Sequence, residues 1–352
     1  MQSLMQPRAP APPVRTTDGI IAMNNLRGQI AGLELNAAAA QLTTRAAAEL
    51  IDLLTLRGQI LGRVADYERA AELAEQLGYD APADGQALLT RARARACLHR
   101  FDEALTDLDA AGHLGVGSAE LEAERAAIFQ ALGRYDEAMA IRQVAFARRA
   151  DFETLGGLAA LHAERGEISA AERLYDESIT LFRGVSPFAL AQLEVQRGRM
   201  WQEYGNDPSR AREWFMTAWR RLPAYAPAEG HLAAVEAAMG ETDVAITRLR
   251  RLATRSDDPD YAAQLARILA EEGRQEDAMV WRARAEQRYD ELIARHPAAF
   301  ADHAAEFWVS AGGDPQRARG LAELNLGVRD TPRARALLLR TIEACPGPAP
   351  LR

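Results

Sequence analysis

The sequence predicts an all-α protein: a solenoid of helical hairpins stacked one on the next. Three observations carry that reading. The segments ADYERAAELAEQL, HRFDEALTDLDAA and GRYDEAMAIRQVA align without gaps, with reference alanines at Ala70, Ala104 and Ala138, a period of 34. The series continues at Ala171, Ala211, Ala245, Ala278 and Ala318, at intervals of 33, 40, 34, 33 and 40. A second column of small residues checks the phase: Gly58, Ala92, Ala126, Ala159, Ala233 and Ala266 lie twelve positions before their reference alanine, and Gly198 and Ala305 thirteen before. Finally, no stretch alternates apolar and polar residues at useful length, so no sheet is expected.

The elements follow in order. Residues 1–17 hold Pro7, Pro10, Pro12 and Pro13 and read as a disordered, polyproline-like tail. Residues 18–43 supply a capping helix. Residues 44–330 carry eight repeats, each with two amphipathic segments bearing apolar residues at i, i+3, i+4 and i+7. In the third repeat Leu121, Ile128 and Leu132 mark helix A, and Tyr135, Ala138, Met139 and Ile141 mark helix B. Asp207-Pro208 and Asp314-Pro315 place an N-cap before a proline at the first helical position. Residues 331–345, opened by Thr331-Pro332, form a C-terminal capping helix, and 346–352 a tail. The total is about eighteen helices. One hairpin cannot bury its own apolar face, so stacking supplies the core and the end helices cover its exposed ends.

The small residue of helix A, the aromatic opening helix B (Tyr67, Phe101, Tyr135), the reference alanine and the glycines between helices (Gly133, Gly166, Gly240, Gly273) resemble the tetratricopeptide repeat family. The likeness recurs eight times over about residues 50–328. The family's helix-A aromatic is replaced by Arg95 and His162 in repeats two and four, and its closing proline is often missing. The resemblance implies a right-handed superhelix with a concave groove. Carried over by phase, the groove positions are Gln59, Arg63, Arg93, Gln130, Glu164, Arg199, Glu203, Arg267 and Glu271. None is Lys or Asn, the residues with which chaperone-tail-binding members of the family line this groove.

The two 40-residue intervals share one anatomy. Each predicts a helix B longer by one to one and a half turns. Each is followed by a Trp (Trp201, Trp308), a glycine four residues on (Gly205, Gly312), and the strings GNDPSRAR and GGDPQRAR, 107 residues apart. Two readings compete: better packing and capping, or two ledges that a partner recognises.

Composition excludes several chemistries. There is no lysine, so all 42 basic residues are arginine, and neither a Schiff-base enzyme nor a P-loop can be built. Cys97 and Cys345 are too far apart for a C-x-x-C pair, and Cys97 reads as a small buried apolar residue. His303, Glu306 and Asp302 lack a further ligand at matching spacing, so no metal and no cofactor are expected. Arg57, Arg91 and Arg125 form a ladder at the repeat period, with Glu68, Asp102 and Asp136 eleven residues on as the expected ion-pair partners. Arg248, Arg250, Arg251 and Arg255 read as a solvated convex face.

The function expected is non-catalytic protein–protein interaction, with a peptide or partner segment in the concave groove. Two alternatives stand beside it: a structural subunit of a larger bacterial, envelope-type assembly that uses its convex face, and an enzyme with its site inside the superhelix. With a net charge of −8, nucleic acid is not an expected partner. No apolar run is long enough for membrane insertion. As written the chain reads as cytoplasmic, or as periplasmic if an export signal was removed. Oligomeric state is left open.

Overall fold

The computed structural model describes residues 14–38 and 42–345, and among them eighteen helices and no strand. α1 (Gly19–Ala38) caps the N-terminal end and α18 (Pro332–Ala344) the C-terminal end. Between them lie eight hairpins: α2 (Thr44–Leu61) with α3 (Val64–Asp80), α4 (Gly85–Cys97) with α5 (Phe101–His113), α6 (Ser118–Leu132) with α7 (Tyr135–Arg148), and α8 (Phe152–Glu164) with α9 (Ile168–Leu181). They continue as α10 (Pro187–Glu203) with α11 (Pro208–Arg221), α12 (Ala226–Ala238) with α13 (Thr242–Arg255), α14 (Pro259–Glu271) with α15 (Gln275–Arg295), and α16 (Pro297–Val309) with α17 (Pro315–Val328). All sixteen residues of the two small-residue columns are buried. At Gly198 even a Cβ would stand 2.5 Å from the Phe215 ring of the paired helix.

The expected tails need one correction. Residues 1–13 and 346–352 lie outside the described residues, but 14–17 are held in place. Thr17 N–H donates to the Val185 carbonyl at 2.7 Å, and Arg221 donates to the Val14 carbonyl at 3.1 Å.

The superhelix closes on itself. Met23, Leu26, Ile30 and Leu54 of the first helices share one core with Phe215, Leu222, Tyr225 and Leu232 of repeats five and six. Polar contacts run along the same seam. Val64 N–H donates to Asp257 at 2.7 Å, a ring nitrogen of His99 lies 3.0 Å from the Ala298 carbonyl, and Asp330 N–H donates to the Leu132 carbonyl at 3.2 Å. Repeats one turn of the superhelix apart therefore wall off the interior.

The two long repeats do not share one cause. α15 has 21 residues, as the spacing predicts, but α9 has only 14. In repeat four the extra residues form the connection through Gly184 to Ser186. Pro187 disfavours helix at the residue before it, and the Ser186 hydroxyl accepts the Phe188 N–H to cap α10. The 107-residue echo is a packing device at both sites. Asp207 and Asp314 cap α11 and α17, Gly205 and Gly312 lie under the Trp201 and Trp308 rings, and Arg210 and Arg317 stack on those rings at 4.4 and 4.0 Å. Asn206 and Gly313 hold the left-handed backbone that this turn requires. Trp308 is buried, whereas Trp201 is half-buried and its ring N–H donates to Glu172 at 3.2 Å. Trp308→Ala is expected to destabilise the chain by about 3–5 kcal/mol, and Trp201→Ala by less, in chemical unfolding.

Candidate functional site

The interior wall is built from helix-A side chains and is rich in paired charge. The arginine ladder is structural, as expected, but its partners differ from those the offset of eleven suggested. Arg57 pairs with Asp66 at 2.7 Å, Arg91 with Asp107 at 2.6 Å, and Arg125 with Asp109 of the preceding repeat. The reason is antiparallel geometry. Arg91, nearly two turns before the end of α4, faces a residue nearly two turns into α5, whereas Arg57, one turn before the end of α2, meets Asp66 in the first turn of α3. Glu68 instead meets Arg288, Arg295 and His296 across the closed seam. Asp107 also takes Arg95 at 2.8 Å, so one buried carboxylate accepts from two guanidiniums, the second of which Glu75 also pairs at 2.8 Å.

The basic run on α13 is also more than a solvated face. Arg251 and Arg255 converge on the fully buried Glu229, Arg248 reaches Glu236 at 2.7 Å, and Arg250 reaches Asp277. Asp107→Ala is expected to cost about 3 kcal/mol in chemical unfolding, at the lower end for a broken buried pair because both guanidiniums keep some water.

A cavity of about 530 Å³ opens inside the superhelix between α6, α7, α8, α10 and the α17–α18 connection. It exists because Asp330 and Arg329 bond to the Leu132 and Ala131 carbonyls and bring the last repeat against the third. Gln130 donates to Glu164 at 2.8 Å, and Arg199 donates to Glu203 at 2.9 Å. Burial pushes the Glu164 carboxyl above its ordinary range. Burial acts on Glu203 in the same sense, but the Arg199 guanidinium overrides it and holds that carboxyl low. The Tyr204 phenol is pushed up to about 12 by burial and by the Glu203 and Glu164 charges.

Of the nine residues placed in the groove by phase, Gln130, Glu164, Arg199 and Glu203 line this cavity together. The other five do not. Gln59 is half-buried on α2, and Arg63 lies where repeat one seals against repeat six, 3.8 Å from Asp66. Arg93 bridges Glu120 and Glu124, and Arg267 pairs with Glu271 on the surface of α14. Sequence phase missed Arg142, Arg329 and Arg333, which come from a helix B and from beyond the last repeat. A signal existed for the first of them. Gly156-Gly157 in mid-helix is unfavourable for α8, and Gly157 is where the Arg142 guanidinium crosses into the cavity.

A second cluster lies further along the interior. His303 sits 3.8 Å from Asp260 and 3.9 Å from Asp302. The Asp302 charge is the main cause that raises His303 to about 9, and His303 with Arg329 holds Asp302 down at about 2 against its burial. Burial lowers His231, stacked on Phe215, to about 4. Cys97 is exposed on the interior side rather than buried as expected, and the surrounding protein pushes its thiol up to about 11. Among the described residues no three His, Cys, Asp or Glu side chains are grouped to hold a metal, and no helix is long and apolar enough to cross a membrane. A raised His303 stabilises the fold fully below about 6.5 and loses that contribution as pH rises through about 9. The thermal midpoint should therefore fall between pH 7 and 9, and fall less in His303→Gln.

No protein-family model and no curated protein matches this chain. Solved structures do share the fold. Human IFIT1, solved as a dimer with PPP-AAAA, superposes with a TM-score of 0.53 at 15% identity, covering 82% of this chain and 73% of its own. The human IFIT1 dimer with m7Gppp-AAAA gives 0.54 at 13% identity, covering 92% and 77%. This likeness establishes an all-α helical solenoid. It also corrects the expectation on partners. Solenoids of this shape are found with RNA ligands, so an acidic net charge is no ground for excluding nucleic acid. Net charge sums over the whole surface, whereas a walled cavity presents its own local field.

Proposed function

We propose that the chain is a non-catalytic binding scaffold whose interior cavity takes an extended peptide segment of a partner protein. The observation that supports this most is the convergence of Gln130, Glu164, Arg199 and Glu203, from three successive helices A, in one cavity. Amides and both signs of charge on one wall suit a chain that presents backbone groups and mixed side chains. Further charged clusters stand on either side of the cavity. Asp52, Glu120 and Glu124 surround Arg93, and burial with the two glutamates raises the Asp52 carboxyl. Asp258, Asp260 and Asp302 surround His303.

The test is a display selection of random dodecapeptides on the full chain, with affinities measured by fluorescence polarisation. Enriched peptides are expected to lose at least tenfold in affinity on Arg199→Glu, which places two acids side by side in the cavity. Peptides that bind the variant equally well, or a chain that binds PPP-AAAA and enriches no peptide, overturn the reading.

A further inference from the structure

Arg142 differs from the other enclosed arginines. Arg57, Arg91, Arg197, Arg221 and Arg248 each have a carboxylate at 2.6–2.8 Å. Arg142 has none at ion-pair distance among the described residues. Its single hydrogen bond runs from Nη2 to the Gln130 amide oxygen at 2.9 Å, and its buried Nε has no acceptor. The side chain starts on α7, outside the interior, and reaches the cavity only because residue 157 is glycine; a Cβ there would collide with Nη1. Burial pulls this guanidinium below its ordinary value, the opposite direction from the paired Arg57 and Arg91. An enclosed cation without a counter-ion is costly unless something supplies one.

The neighbouring charges indicate what that is. Arg199 is answered by Glu203, and Arg329 by Asp302 at 3.2 Å. Of the four guanidiniums that line the cavity, Arg142 alone has no carboxylate at ion-pair distance among the described residues, and the Gln130 amide is already turned to serve Glu164. A planar monoanion with two acceptor oxygens matches a guanidinium that has donors to spare. A dianion would be under-compensated beside Glu164 and Glu153, which line the same space.

We propose that Arg142, admitted by Gly157, is a subsite for one carboxylate of the bound peptide, an Asp or Glu side chain or the C-terminus. This rests on the peptide reading above for the identity of the ligand, but not for the existence of the anion site. The site is complete only when the superhelix is closed, because Arg329 and Arg333 reach the cavity from beyond the last repeat.

Two measurements test it on the full chain. In the first, sodium acetate is titrated at ionic strength held constant with sodium chloride, and the thermal midpoint is read. Acetate is expected to raise the midpoint saturably in the wild type and not in Arg142→Gln. The unliganded Arg142→Gln chain is expected to melt at or above the wild-type temperature, because an unpaired enclosed charge is gone. A lower midpoint for that variant, or no acetate effect on the wild type, overturns the subsite. So does inorganic phosphate acting where acetate does not, which would point to a nucleic-acid phosphate.

In the second, the display-selected peptides are measured against Arg142→Gln and Gly157→Ala. Loss of a charge-assisted bond predicts roughly 10–100-fold weaker binding to both. Peptides that bind both variants like wild type, with acetate silent, remove the subsite and leave the peptide reading standing. Acetate protection with no peptide enriched removes the peptide reading and keeps the subsite.

Discussion

The structure depends on how closely helices A and B approach at the two columns of small residues. A side chain larger than alanine at Ala104, Ala126 or Ala171 has nowhere to go, since each is buried against the facing helix. That approach sets the angle of each hairpin, and eight repetitions of it set the curvature of the whole. Curvature brings repeat one onto repeats five and six and repeat three onto the C-terminal connection. A solenoid of lower curvature has the same hairpins and the same core but an open trough where this one has a walled interior.

Closure changes the electrostatics of the inner wall. In an open groove the charges of Asp258, Asp260, Asp302 and His303 would be screened by water. Here they face one another across a confined space, and the shifts of His303 upward and Asp302 downward follow. The same confinement explains the arginines. With no lysine in the chain, the long basic side chains that enter the protein are all guanidiniums, planar forks that can pair with a carboxylate in two bonds. Arg57–Asp66, Arg91–Asp107 and Arg221–Glu194 are all of this kind, and they tie helix to helix at nearly every level.

The fold was legible because its determinants are local and periodic. The spacing of Ala70, Ala104 and Ala138 reports a contact inside one hairpin, and that contact recurs wherever the spacing does. The duplicated Trp-Gly-Asp-Pro-Arg strings were legible for the same reason, as caps and ring stacks within a few residues. What the sequence left hidden is non-local. Nothing near Gly62 announces that its carbonyl meets Ser256, and nothing near Leu132 announces Asp330. Part of the candidate site shares that origin. Gln130, Glu164, Arg199 and Glu203 follow from phase, whereas Arg329 and Arg333 arrive only through closure. The length of α9 failed for a different reason: an interval counts residues and does not say whether they extend a helix or a connection, and Gly184 with Pro187 decided for the connection.

Gly157 joins the local and the non-local parts of the argument. A second glycine in the middle of α8 lowers helix propensity, and alanine would restore about 1 kcal/mol. The glycine's position is used by Arg142, whose unpaired guanidinium is itself unfavourable in an enclosed space. Two unfavourable choices, on adjacent helices, are made at the same point, and none of the hydrogen bonds that close the superhelix uses either residue. Packing alone does not account for both, since a Gly157→Ala, Arg142→Leu pair fills the same region with better helix formers and no stranded charge. The proposed carboxylate subsite accounts for both at once, and under that proposal the binding wall is centred on repeats three and four rather than spread along the whole length of the solenoid.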